Sequence, residues 1–87
     1  MSGDRFEELR RLILHNDREI VAAVNRRLEL VAELWQLKEE RGAPRVDPDR
    51  ERRLRAALLA ANSGPLSSEG LDALVDALLD LTKRELR

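Results

Sequence analysis

Residues 4–41 contain neither proline nor glycine, and apolar side chains recur through them at the three- and four-residue spacing of one helix face. We therefore predict a single helix over about residues 4–41, roughly 57 Å long at about 1.5 Å per residue. A compact domain of 87 residues has a radius of gyration near 12 Å, hence a diameter of roughly 30 Å. The predicted helix is about twice as long as such a domain is wide. Its apolar positions are Leu9, Ile13, Ile20, Val24, Val31 and Leu34, with Leu12, Leu28 and Trp35 widening the stripe.

Two turn segments divide the rest of the chain into two shorter helices. Gly42-Ala43-Pro44 ends the first helix, and Asp47-Pro48 begins a second, predicted over 48–61, with an aspartate at the N-cap and a proline at the first position. After the turn residues 62–65, Ser67 or Ser68 caps a third helix, predicted over 68–86. No segment alternates with period two for long enough to predict a strand. We predict one all-α domain spanning 1–87.

The long helix needs a partner to cover its apolar stripe, because the two short helices cannot reach along its whole length. A lone domain of this size is marginally stable without a disulfide, a metal or a partner subunit. The chain has no cysteine and a single histidine, which excludes disulfides and a histidine-based zinc site. We therefore predict no metal and an intertwined helical homodimer in which two long helices pack antiparallel.

Charge and hydropathy exclude several classes of partner. The chain carries 16 Lys plus Arg against 17 Asp plus Glu, for a net charge of -1, and only two aromatic residues. A nucleic-acid binder normally shows a basic excess or aromatic platforms for bases. No apolar run approaches the roughly 18 to 20 residues that span a bilayer, and the N-terminus has no signal-peptide core. We expect a cytoplasmic protein that binds neither nucleic acid nor membrane.

Three polar residues interrupt the apolar stripe of the long helix. Asn16, Arg27 and Lys38 follow one another at intervals of 11 residues, which return to almost the same angle after three turns. A buried unpaired cation costs several kcal/mol, so Arg27 and Lys38 need a partner. The long side chains can reach solvent at the edge of the dimer, pair with a carboxylate of another helix, or bind an anionic ligand.

Further charged residues gather around these two cations if the dimer forms as predicted. Arg10, near the other end of the long helix, then meets the Arg27 and Lys38 region of the partner chain. The start of the second helix adds Asp47, Arg50 and Glu51. Arginine binds carboxylates well because its planar fork donates two parallel hydrogen bonds. The combined set suits a small molecule with two carboxylates and a hydroxyl group.

These elements together resemble the all-helical chorismate mutases, which are built as intertwined helical dimers. The similarity covers about residues 6–86, and its most specific part is the stretch from Val46 to Glu51, with the pattern V-D-P-x-R-E in the region that follows the long charged helix. The residues that carry the resemblance are Leu9-Arg10, Asp17, Arg27, Lys38 and 44–51.

The resemblance implies a cofactor-free isomerase of phenylalanine and tyrosine biosynthesis, part of the shikimate pathway, that converts chorismate to prephenate. It implies that Arg27 and the partner's Arg10 hold the two carboxylates of chorismate. Lys38 would hydrogen-bond the ether oxygen and a carboxylate.

The resemblance also assigns residues of the second and third helices. Asp47, through its backbone, and Glu51 would receive the ring hydroxyl, and Arg50 would line the pocket beside them. Thr82 falls where the family often has a serine near a carboxylate. Four residues later the family usually has a glutamine or glutamate that donates to the ether oxygen. Leu86 stands there, so we expect either its neighbour Glu85 to supply this contact or the contact to be missing.

Several other functions remain open at this point. An isochorismate-pyruvate lyase of the same fold would use the same cations on nearly the same dianion. A weakly active or regulatory module would bind an aromatic-pathway metabolite or associate with an upstream synthase of that pathway. A plain helical dimerisation module would use Arg27 and Lys38 for stability alone.

Overall fold

A computed structural model describes residues 2–87, with side chains from Gly3 onward, and shows three α-helices and no strand within that range. Helix α1 spans Ser2–Glu40, α2 spans Pro48–Ala61 and α3 spans Ser68–Glu85. The all-α prediction with one long and two shorter helices is confirmed. The observed helix ends lie within two residues of the predicted ones.

Local backbone chemistry explains where α1 ends and α2 begins. Gly42 adopts a φ of +69°, the left-handed conformation that glycine reaches without steric cost, and the Ala43 N–H donates to the Lys38 carbonyl at 2.8 Å. Five residues later the Asp47 carboxylate accepts from the N–H groups of Asp49 and Arg50 at 3.1 and 3.2 Å. Hydrogen bonds therefore fix both ends of the loop between α1 and α2.

Helix α3 lies at the centre of the fold. It packs against both α1 and α2, whereas α1 and α2 do not pack directly on each other over the described residues. The three buried side chains of the described residues, Leu71, Val75 and Thr82, all belong to α3. Ser67 caps this helix by accepting from the Gly70 N–H at 3.0 Å. A gap remains between α1 and α2 above the C-terminal half of α3.

One arginine of α2 connects α2 to α3. The Arg55 guanidinium donates to the Asp72 and Asp76 carboxylates at 3.2 and 2.8 Å. The hydrogen bond to Asp76 first, and that to Asp72 second, raise the pKa of Arg55. This arginine therefore stays charged and links α2 to two successive turns of α3.

The chain covers only the second half of the α1 stripe. Val24, Arg27, Val31, Leu34 and Lys38 are half-buried against the rest of the chain. The first half of the same stripe is open: the exposed fractions of Leu9, Ile13 and Ile20 are 43%, 60% and 54%. The structure extends 61 Å along its longest axis and only 24 and 18 Å along the others. None of the helices described is long and apolar enough to cross a bilayer.

Candidate active site

A cavity of about 420 Å³ fills the gap between α1 and α2. Its walls come from the second half of α1, the α1–α2 loop, the start of α2 and the end of α3. The apolar part of the wall consists of Val31, Leu34, Trp35, Val46, Leu54 and Leu79. The charged part consists of Arg27, Lys38, Arg45, Asp47, Arg50, Glu51, Arg53 and Lys83. The cavity thus combines an apolar surface with more cations than anions.

Arg27 is held in place by α3. Its Nη1 donates to the Thr82 hydroxyl oxygen at 2.5 Å, and Thr82 is buried, with 5% of its surface exposed. The same hydroxyl donates its one hydrogen to the Leu78 carbonyl at 2.8 Å. A hydroxyl has a single hydrogen, so Thr82 in this arrangement acts as an acceptor for Arg27. The remaining N–H groups of the guanidinium are available to a ligand.

Lys38 is held in place by the α1–α2 loop. Its half-buried side chain donates from Nζ to the carbonyl oxygen of Arg45 at 3.1 Å. An ammonium group has three hydrogens, so this bond leaves two for other acceptors. Lys38 is therefore oriented without being neutralised.

The start of α2 places three charged residues on the opposite wall. Asp47 is half-buried and uses its carboxylate to cap α2, while Arg50 and Glu51 lie on the next turn. Within residues 2–87, none of the cavity cations takes part in an ion pair with a protein carboxylate. Arg27 and Lys38 are half-buried as well as unpaired, and this favours an anionic ligand, because the ligand supplies the missing negative charge.

The structure brings six of the eight predicted site residues to this cavity. They are Arg27, Lys38, Asp47, Arg50, Glu51 and Thr82. Arg10 lies elsewhere: it is exposed about 25 Å along α1 from Arg27 at about 1.5 Å per residue, with its guanidinium 4.3 Å from the centroid of the Phe6 ring. A contribution from Arg10 to this cavity therefore needs a second chain, and it stays a prediction.

Glu85 is the other predicted residue that does not line the cavity. Its side chain is exposed, whereas the neighbouring Leu86 is half-buried and ends α3 with its N–H on the Thr82 carbonyl at 3.0 Å. The structure gives the cavity no carboxylic acid from the last turn of α3. The role of Glu85 as a donor to the ether oxygen stays a prediction, and it requires the last turn of α3 to move.

Sequence reasoning did not place Arg45, Arg53 or Lys83 in the site. Arg53 and Lys83 carry a weak signal, since each lies three or four residues from a wall residue on its own helix, Arg50 and Leu79 respectively. Arg45 lies in a loop, where periodicity gives no information. Its guanidinium lies 4.8 Å from the centroid of the Trp35 ring, a contact that only the three-dimensional structure shows.

A family model for chorismate mutase type II matches residues 9–86. The chain belongs to this family. The match includes every residue of the cavity wall and all of α3, and it confirms the resemblance drawn from the sequence. Comparisons with curated proteins and with solved structures gave no match.

The site of this chorismate mutase type II chain is suited to electrostatic chemistry. No serine, cysteine or histidine is among the residues described in the cavity wall, and the one hydroxyl, Thr82, has its hydrogen engaged. The described wall therefore offers no free hydroxyl, thiol or imidazole as a nucleophile. It offers positioned cations, which can fix the conformation of an anion and stabilise negative charge that develops on it.

Proposed function

We propose that this protein is a chorismate mutase, which rearranges chorismate to prephenate in phenylalanine and tyrosine biosynthesis. The observation that carries the proposal is the set of unpaired cations around an apolar cavity of about 420 Å³ in a chain of this family. Chorismate is a small dianion with an apolar ring edge and a hydroxyl group. Its carboxylates match the cations, and its ring matches the apolar wall.

In the proposed mechanism, the cavity selects and then stabilises one conformer of the substrate. Arg27, oriented by Thr82, binds a carboxylate and helps hold the two reacting ends of the molecule together, which removes an entropic part of the barrier. As the C–O bond of the ether breaks and the new C–C bond forms, negative charge grows on the ether oxygen. Lys38 donates to that oxygen, and this interaction is stronger in the transition state than in the bound substrate. No proton is transferred.

We further propose that the active form is a homodimer whose chains share their active sites. The exposed apolar first half of α1 supports this proposal, because an uncovered face of that length is typical of an interface. An antiparallel partner helix would cover it and bring the partner's Arg10 to the open side of the cavity. Arg10 would then supply the second carboxylate contact.

A direct assay tests the activity. Purified protein is mixed with chorismate, whose ultraviolet absorbance falls as prephenate forms. The Lys38→Ala variant should lose about 10² to 10³ in kcat, the usual effect of removing one donor to developing charge. Arg84→Ala is the matched control, since this exposed cation of α3 lies outside the cavity wall. Intact chorismate at micromolar wild-type protein would reject the proposal, and release of pyruvate from isochorismate would indicate the lyase instead.

The position of Glu85 favours a second candidate, a weakly active enzyme that associates with an upstream synthase of the aromatic pathway. With Glu85 outside the cavity, the ether oxygen receives one donor from this chain instead of two. A partner that binds near the last turn of α3 could reposition Glu85. Turnover that rises about tenfold or more on addition of such a synthase, and that no longer rises in Glu85→Ala, would favour this candidate.

A further inference from the structure

The α1–α2 loop is attached to α1 through both the side chain and the backbone of Arg45. The guanidinium lies over the Trp35 ring, 4.8 Å from its centroid, and the carbonyl oxygen accepts from Lys38 Nζ at 3.1 Å. Trp35 and Lys38 are three residues apart and therefore neighbours on one face of α1. A single loop residue thus contacts two adjacent side chains of the helix.

This arrangement has a consequence for Lys38. A lysine side chain carries its charge at the end of a flexible stem of four methylenes, so the ammonium is mobile unless an acceptor fixes it. The acceptor here belongs to a loop residue, and its position depends on what holds that loop. Trp35 is half-buried in the cavity wall, while Arg45 is exposed. Hydrogen bonds fix the loop at Ala43 and at the start of α2, and between these points the cation–π contact is the side-chain interaction that holds Arg45 against α1.

We propose that the Trp35–Arg45 pair is a positioning element for Lys38, in a role that rests on the proposed mutase function. The Arg45 guanidinium lies over the indole ring, and the residue acts through its backbone carbonyl, which accepts from Lys38 and orients the ammonium. Loosening the pair leaves the charge of Lys38 in place but spreads its position. Because Lys38 acts mainly on the transition state, the loss falls on kcat.

The kinetic test compares Arg45→Met with Arg45→Lys. Methionine keeps much of the length and apolar stem but has no charge, whereas lysine retains the cation–π contact. With chorismate as substrate, we expect Arg45→Met to lower kcat about 5- to 10-fold with KM changed less than about twofold, and Arg45→Lys to recover most of the loss. In a Lys38→Gln background the same Arg45→Met change should cost less than about twofold, because the coupled partner is already lost.

Two kinetic results would overturn the positioning role. A rise in KM at unchanged kcat would show that Arg45 binds a substrate carboxylate directly. An equal loss with and without Lys38 would show that the two residues act independently. Matching circular dichroism spectra of the variants exclude a general loss of folding as the cause.

A fluorescence measurement tests the pair without using activity. Trp35 is the only tryptophan of the chain, so tryptophan emission comes from this residue alone. Arg45→Ala should raise the acrylamide quenching constant about twofold by uncovering one ring face, and Arg45→Lys should raise it less. An unchanged constant overturns the positioning role. If the wild-type protein leaves chorismate intact, the proposed function is wrong. If the wild type is active and Arg45→Met is equally active, only the positioning role is wrong.

Discussion

Thr82 shows how a buried side chain can act on a ligand through another residue. Its hydroxyl oxygen accepts from Arg27 and its hydrogen goes to the Leu78 carbonyl. The sequence predicted Thr82 as a residue that binds substrate. The hydrogen bonds indicate that it orients Arg27, which in turn lies at the cavity.

Replacing Thr82 with valine keeps the volume and removes the acceptor. We expect KM for chorismate to rise about tenfold, since Arg27 loses its orientation, and the free energy of unfolding to fall by about 1 kcal/mol. Thr82→Ser keeps the hydroxyl and should stay within about threefold of wild type. Steady-state kinetics and urea titration measure the two effects. A valine variant with wild-type KM would show that Arg27 is oriented by other contacts.

At the scale of single residues, the sequence located cavity residues on helices and missed those in loops. Arg27 and Lys38 were predicted because they interrupt an apolar stripe, and a buried cation without a partner lowers the stability of the fold. Arg45 was missed, because no periodicity constrains a loop side chain. Glu85 was predicted because it is next to Leu86 in the sequence. One residue along a helix is a rotation of about 100°, and the Glu85 side chain lies outside the cavity.

The start of α2 combines a structural and a proposed functional role in one residue. The Asp47 carboxylate caps the helix, and the residue also lies in the cavity wall. Asp47→Ala should lower the free energy of unfolding by about 1 kcal/mol, whereas Asp47→Asn keeps an oxygen acceptor and should cost little. Thermal unfolding measures both. Equal losses from alanine and asparagine would mean that the charge matters more than the cap.

The contact between α2 and α3 depends on Arg55, which bonds two carboxylates one turn apart on α3. Arg55→Met should lower the melting temperature, and the difference from wild type should shrink in 1 M salt, where exposed charges are screened. The raised pKa of Arg55 means that this contribution is fully present below the ordinary arginine pKa and is lost only as pH rises beyond it. Melting curves at two salt concentrations and at pH 7 and 9 check this, and a large loss between those pH values would contradict it.

The helix bounds were predictable because their causes are local. Gly42 beyond the end of α1, Asp47-Pro48 at the start of α2 and Ser67 before α3 are signals that a few neighbouring residues decide. The packing order was not predictable in the same way. That α3 lies between α1 and α2, leaving the cavity where those two helices diverge, depends on contacts far apart in the sequence.

For the whole molecule, the length of α1 was predictable from its uninterrupted pattern, and the 61 Å long axis agrees with it.

The proposed dimer predicts that Ile13→Glu, on the open half of the stripe, abolishes self-association and most chorismate turnover, because it places a charge in the interface. Ala22→Glu puts the same side chain on the opposite face of α1 and serves as the control. Sedimentation measures the mass. A dimeric Ile13→Glu would contradict this geometry.

Shared active sites make a separate prediction for mixtures of two inactive variants. Arg10→Ala and Lys38→Ala damage different ends of α1, so a mixed dimer keeps one intact site. After co-refolding in equal amounts, we expect about a quarter of the wild-type activity from random pairing of the two chains. No recovery above the separate variants would indicate that Arg10 does not contribute to the partner's cavity.

The small number of buried side chains has one more consequence. Among residues 3–87 only Leu71 and Val75 are buried apolar side chains, too little to offset the chain entropy lost when a polypeptide of this size orders. If a second copy of the chain completes the core, folding and association are one reaction, and dilution favours the unfolded state. The melting temperature should then climb with protein concentration, and a cell that makes only a few copies of this polypeptide would hold most of them unfolded.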